Sequence, residues 1–106
     1  MSRFARKVDS NHAIIVEALR KRGHLVQSLA SVGAGCPDLL VAKRGSRQLV
    51  LLEVKVPRNQ RGDLEQLTPA ESAFHAAWHQ APVYVVGGVE SAIAAVEGQP
   101  QHEVCW

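Results

Sequence analysis

From residue 62 to residue 106 the chain has no lysine and no arginine. Cysteine is nearly as scarce: Cys36 and Cys105 are too few and too far apart for a disulfide framework, so a reducing, cytosolic setting is the expectation. No apolar run approaches the roughly 20 residues that span a bilayer, and the opening stretch MSRFARKVDSNH has no signal-peptide apolar region. Internal repeats and low-complexity tracts are also missing. What remains is a chain of 106 residues, 46% hydrophobic and 21% charged. That composition predicts a single globular domain with a real core and little room for a second.

The missing cations in the second part imply an excess in the first. All twelve Lys and Arg residues lie at positions 1–61 against four acids, a local charge of +8; positions 62–106 carry six acids and no Lys or Arg, a local charge of −6. The net charge of +2 hides this split. A basic first half suits a polyanion such as nucleic acid, although a solvated charged surface would give the same count.

Along the chain, residues 1–8 read as a basic N-terminal arm, 9–98 as the folded domain and 99–106 as a C-terminal extension, either an edge strand or a segment draped over the core. Ser10 or Asn11 caps a predicted helix to about Arg22, with Ile14, Ile15, Ala18 and Leu19 on its apolar face and Gly23 as the stop. HLVQSLA (24–30), PDLLVA (37–42) and QLVLLEVKV (48–56) read as strands, and SVGAG (31–35) as a flexible link. PRNQRGDLEQ (57–66) has no periodicity and reads as a mobile surface loop. Thr68-Pro69-Ala70-Glu71 opens a helix to about His79, with Thr68 as cap, Pro69 first and Glu71 completing a capping box. PVYVV (82–86) is a strand and 89–97 a short helix. The order α-β-β-β-α-β-α predicts a mixed sheet flanked by helices.

Three charges interrupt the apolar strands. Residues two apart share a strand face, so Leu49, Leu51, Glu53 and Lys55 point one way and Val50, Leu52, Val54 and Val56 the other. Both faces are apolar at the start of the strand, which predicts cover on both. If Gly45-Ser46 is a two-residue hairpin turn, Leu40 faces Leu51 and Asp38 faces Glu53; a longer loop is the other option. Directly opposed residues hold their Cβ atoms roughly 4.5–5.5 Å apart, where like charges destabilise. The two acids could share a proton, lean on Lys55, or bind a divalent cation; oxygen donors on rigid strands suit Mg²⁺ or Mn²⁺. A buried Asp–Lys–Glu cluster without catalysis satisfies the same spacing. With a cation present, an acidified water and the Lys55 point charge suit phosphodiester hydrolysis.

Pro37-Asp38 followed by Glu53-Val54-Lys55 resembles the signature of the PD-(D/E)XK nucleases, and GCPDLLVAKRG, LVLLEVKVP, QLTPAESAFHAAW and PVYVVGGVESAI resemble the virus-type replication and repair (VRR-Nuc) branch over about residues 9–97. The resemblance implies a restriction-endonuclease-like α/β core and an Mg²⁺- or Mn²⁺-dependent DNA endonuclease. It implies Asp38, Glu53 and the Val54 carbonyl as metal ligands, Lys55 as the catalytic lysine, and an acid from the first helix, which Glu17 matches. By helical wheel Glu17 sits at the border of the apolar face. Where the family often carries glutamine in the helix after the EXK strand, this chain has Glu71; Gln66 is an alternative amide. Stand-alone members occur in phages and bacteria, which implies the cytoplasm of a bacterial or phage-infected cell, a homodimer, and four-way (Holliday) junctions or other branched DNA as substrate.

Several residues carry weaker signals. Arg58 and Arg61 beside the EXK strand are expected phosphate contacts, and Arg20, Lys21 and Arg22 at the first helix end either do the same or solubilise the helix end. His75 and His79 have zinc-like spacing without a third ligand. Cys36 has no base partner, and Trp78 and Trp106 fit core or interface better than base stacking. The competing reading is a non-catalytic nucleic-acid-binding or assembly module that keeps the fold; two close acids are a feature such a module does not need.

Overall fold

The computed structural model describes residues 10–98; the expectations for the basic arm and for the C-terminal extension, with Cys105 and Trp106, lie outside the described residues. Helix α1 (Ser10–Lys21) is followed by β1 (Leu25–Ser28), β2 (Leu39–Ala42), β3 (Leu49–Val54), α2 (Pro69–Ala77), β4 (Val83–Val86) and α3 (Val89–Glu97). This is the expected mixed α/β order. The four strands lie side by side in sequence order. β1–β2 and β2–β3 pair antiparallel, while β4 runs parallel to β3, with α2 in the crossover between them.

One sheet face makes the core. Leu39 and Val41 of β2, Val50 and Leu52 of β3, and Val86 of β4 are buried with Ile15 and Leu19 of α1 and Ala92 and Val96 of α3. Only part of the expected α1 face goes inward, since Ile14 is 53% exposed. Gly23 ends α1 with φ +93°, a value side-chain-bearing residues rarely adopt. Asn11 does not serve as a simple cap: its Nδ2 donates to Gly87 O at 3.2 Å, tying the start of α1 to the end of β4.

The opposite face corrects an expectation. Leu40, Leu49 and Leu51 line an open apolar hollow of about 610 Å³ with Leu29, Phe74 and Trp78, and Leu49 is 54% exposed. Helix α2 has no fully buried residue, so among the described residues this face is covered only in part. α2 is the helix on this face, whereas α1 and α3 together cover the other.

Two loops gain detail that the sequence left open. The β2–β3 connection keeps the predicted register, with Leu40 opposite Leu51 and Leu39 opposite Leu52. The turn is the longer option: Lys43 N–H donates to Gln48 O at 3.1 Å and Ser46 N–H to Lys43 O at 3.2 Å, with Gly45 at φ +75°. Residues 57–66 form the expected surface loop, and it is closed by defined hydrogen bonds. Arg58 N–H donates to Asp63 O at 2.7 Å and Glu65 N–H to Val56 O at 3.1 Å, Pro57 bridges Leu64, and Asn59 Oδ1 accepts the Arg61 and Asp63 N–H groups at 2.9 and 3.2 Å. An Asx-type turn, which hydrophobic periodicity does not report, closes this hairpin.

Candidate active site

The register that sets Leu39 opposite Leu52 carries on to set Asp38 opposite Glu53. Leu29 N–H donates to Asp38 O at 2.7 Å, which continues the β1–β2 ladder and fixes the Asp38 backbone. Its side chain completes the ladder on the other side, where Asp38 Oδ2 accepts the Val54 N–H at 2.7 Å. The N–H and C=O of one strand residue leave toward the same neighbour, so the Val54 carbonyl also looks to the Asp38 side.

Glu53 is 2% exposed, and its Oε1 has no hydrogen-bond partner among the described residues. Burial, then the charge of Asp38 and a hydrogen bond with it, push the Glu53 carboxyl up to about 8, against the pull of Lys55. Lys55 does not turn to the two acids for its direct partner: its Nζ lies 2.8 Å from Glu71 Oε1. Burial works against the Lys55 ammonium, but the hydrogen bond and charge of Glu71, with Glu53 and Asp38 behind, raise its pKa above the ordinary lysine value. Burial likewise opposes the Glu71 carboxylate, and its hydrogen bonds from Lys55 and the Thr68 N–H outweigh that and lower it.

Helix and strand spacing explain why α2 meets these charges. Glu53 and Lys55 share a face about 6.6 Å apart along β3, and residues four apart on a helix rise about 6 Å along one face. Glu71 meets Lys55, and His75 Nε2 lies 3.7 Å from Glu53 Oε1. α2 therefore runs back along β3, as the crossover to a parallel β4 requires. Its first turn is brought close by Gly35: with φ +80°, a Cβ there would stand 2.2 Å from Ala70 O. The capping box is present, with Thr68 Oγ1 accepting the Glu71 N–H at 3.1 Å and Glu71 Oε1 accepting the Thr68 N–H at 2.9 Å.

Other candidates lie elsewhere. Glu17 is 67% exposed and 3.6 Å from Lys21, on the solvent side with Ile14. Among the described residues no three His, Cys, Asp or Glu side chains are gathered as a metal group, so Glu17 is not assembled with Asp38 and Glu53. Gln66 is exposed. Arg58 and Arg61 are exposed on the 57–66 hairpin, and Arg61 pairs with Asp63 at 3.1 Å. Arg20 donates to Val26 O at 3.0 Å, and Arg22 forms a two-pronged pair with Glu97. His79 is exposed, its Nδ1 3.1 Å from Ala76 O, and does not act with His75. The Cys36 thiol is pushed up by burial and then by Glu53 and Asp38, which opposes a thiolate. Trp78 is 50% exposed and stacked on Phe74, with ring centroids 5.0 Å apart.

Two features escaped sequence reasoning. Buried His24 accepts the Arg44 N–H at Nδ1 (2.9 Å) and faces Glu97 through Nε2 (2.7 Å), joining the turn after α1 to the end of α3. Nothing local announces a partner 73 positions away. His75, singled out in the sequence only for its spacing from His79, stands beside Glu53 instead, a placement that its four-residue spacing from Glu71 could have signalled. Comparison with known proteins found no matching family model, no matching curated protein and no matching solved structure.

Proposed function

We propose that this chain is an Mg²⁺- or Mn²⁺-dependent endonuclease of PD-(D/E)XK type that hydrolyses DNA phosphodiesters, selecting branched DNA such as four-way junctions. One observation carries the reading: Glu53 is buried opposite Asp38 with one oxygen that accepts no hydrogen bond among the described residues. Buried carboxylate oxygens are seldom left so, and a ligand that accepts them is the economical explanation. The donors fit a hard divalent cation: Glu53, Asp38 and the Val54 carbonyl are all oxygen ligands, with water to complete the shell.

The bound cation would acidify a water and offset phosphate charge. The rest falls to the chain itself. The Val54 N–H fixes Asp38 in orientation. Glu71 holds Lys55 charged and in place, so its ammonium stands ready as a fixed point charge for a phosphate oxygen as negative charge develops. Arg58 and Arg61, just beyond β3, offer backbone contacts to the same strand of DNA.

A homodimer suits paired cuts at a junction, because two-fold symmetry presents two equivalent sites. The uncovered apolar side chains Leu25, Val32, Leu49 and Trp78 support a second copy as the partner. No helix among the described residues is long and apolar enough to cross a membrane.

A non-catalytic nucleic-acid-binding or assembly module is the second reading. It is favoured by the direct Lys55–Glu71 pair and by the lack of a three-residue metal group among the described residues. Linear, flapped and four-way DNA, each incubated with the protein with and without Mg²⁺ or Mn²⁺, separates the two. Metal-dependent cuts paired about the junction are expected, and a sedimenting dimer with them. Binding without cleavage under all metals favours the module. In the same buffers, metal at about a hundred times its Kd should add roughly 2.7 kcal/mol, a Tm rise on the order of 10 °C. Glu53→Gln should abolish that rise.

A further inference from the structure

Helix α2 brings to Glu53 a second atom that lacks a hydrogen bond. His75 Nε2 is buried, has no hydrogen-bond partner among the described residues, and stands at ion-pair distance, 3.7 Å, from Glu53 Oε1, which likewise has no hydrogen bond. That gap is too long for an N–H···O hydrogen bond, which needs about 2.7–3.2 Å. It is close to another spacing. Two donor atoms each about 2.1 Å from one cation lie roughly 3.0–3.6 Å apart. The backbone makes the juxtaposition firm: the contact is the second rung of the α2–β3 match whose first rung is the Lys55–Glu71 pair at 2.8 Å.

We propose that His75 Nε2 and Glu53 Oε1 are two donors to one cation, making this a mixed nitrogen–oxygen site that prefers Mn²⁺ to Mg²⁺. The inference rests on the divalent-metal reading above and narrows it. Mg²⁺ takes oxygen ligands and sheds water reluctantly, whereas an imidazole raises affinity for first-row transition cations. Ligation through Nε2 places the ring proton on Nδ1. Asp38 is held on the facing strand by the Val54 N–H; among the described residues it is not gathered with His75 and Glu53 as a three-residue group, so these two side chains are the donors proposed, and Lys55, held by Glu71, remains outside the ligand set.

The test uses the metal alone with DNA-free protein. Wild type is titrated with MnCl₂ and separately with MgCl₂, and bound Mn²⁺ is examined by electron spin-echo modulation for coupling to ¹⁴N. Wild type should show nitrogen coupling and bind Mn²⁺ more tightly than Mg²⁺. His75→Ala should lose the coupling and weaken Mn²⁺ binding by about tenfold or more, the scale on which ligand-sphere changes act, while Mg²⁺ binding changes little. His75→Asn serves if the alanine variant folds poorly, and the wild-type spectrum needs no variant at all. Tight Mn²⁺ binding without nitrogen coupling, and with an unchanged Mn²⁺/Mg²⁺ ratio in His75→Ala, overturns the role of His75 and leaves the carboxylate metal site standing. Neither cation binding wild type at millimolar concentration, or Glu53→Gln binding both as wild type does, sinks the metal site itself.

Discussion

Lys55 Nζ and the Thr68 N–H share one acceptor, Glu71 Oε1, at 2.8 and 2.9 Å. One carboxylate thus caps α2 and holds the lysine of the EXK strand. Glu71 is therefore engaged with the Lys55 side of the candidate site as well as with the helix.

Glutamine also serves at the third position of a capping box, so Glu71→Gln should keep the cap and remove only the charge opposite Lys55. Its stability should stay within about 1 kcal/mol of wild type, while the Lys55 pKa falls because burial then meets less opposition. Glu71→Ala loses the cap as well and should cost about 1–2 kcal/mol. Denaturant unfolding and ¹⁵N chemical shifts of the Lys55 ammonium across pH check both statements. An unmoved Lys55 titration in Glu71→Gln would show that the ion pair does not set its charge.

The metal-free protein should lose stability as pH rises. Glu53 ionises near 4.5 when solvated and at about 8 in the fold, so between those values the folded state keeps a proton that the unfolded chain releases. Its contribution is complete below about 4.5 and declines through about 8. Glu97 acts oppositely: the hydrogen bond from Arg22 and then that from His24 lower it to about 2, so its contribution is present above about 4.5 and fades toward pH 2. Melting in a chelating buffer should therefore fall from about pH 5 to 8, and Glu53→Gln should flatten that decline. A decline of equal slope in both proteins assigns it to another group.

Lys55→Ala should separate chemistry from binding. If the ammonium acts on charge that develops only in the transition state, its loss should slow cleavage roughly 10²–10³-fold, with DNA affinity and metal-induced melting shifts nearly unchanged. Wild-type rates in this variant would remove the lysine from the mechanism.

Neutralising Arg58 and Arg61 together should weaken DNA binding and reduce its salt slope by up to roughly 1.8, about 0.9 for each phosphate that a cation no longer neutralises. Arg61 is already partnered by Asp63, so its share should be the smaller. Because the hairpin closes through backbone and Asn59 hydrogen bonds, stability should change by less than about 0.5 kcal/mol. An unchanged slope would place the DNA elsewhere.

The sequence by itself determined the order of elements, the α3 boundaries, the stop at Gly23 and the capping box, while the register that opposes Asp38 to Glu53 follows from a two-residue turn that the structure replaces with a longer one. All of these rest on local chemistry: period-two alternation, glycine backbone freedom, and cap side chains within three residues of their partners. Tertiary structure alone decided which partner each charge took. Lys55 went to Glu71 rather than to the acids beside it, because α2 runs back along β3 with matching rise. Glu17 stayed outside the site because α1 buries Ile15 and Leu19 and turns Ile14 and Glu17 outward, leaving Glu17 its within-helix neighbour Lys21. His24 met Glu97 across the whole chain. The second face of the sheet stayed partly open because, among the described residues, α2 packs there without a second helix beside it, while α1 and α3 share the other face. Such pairings depend on how helices lie across the sheet, and that distance is carried by packing between elements rather than by any pattern within one.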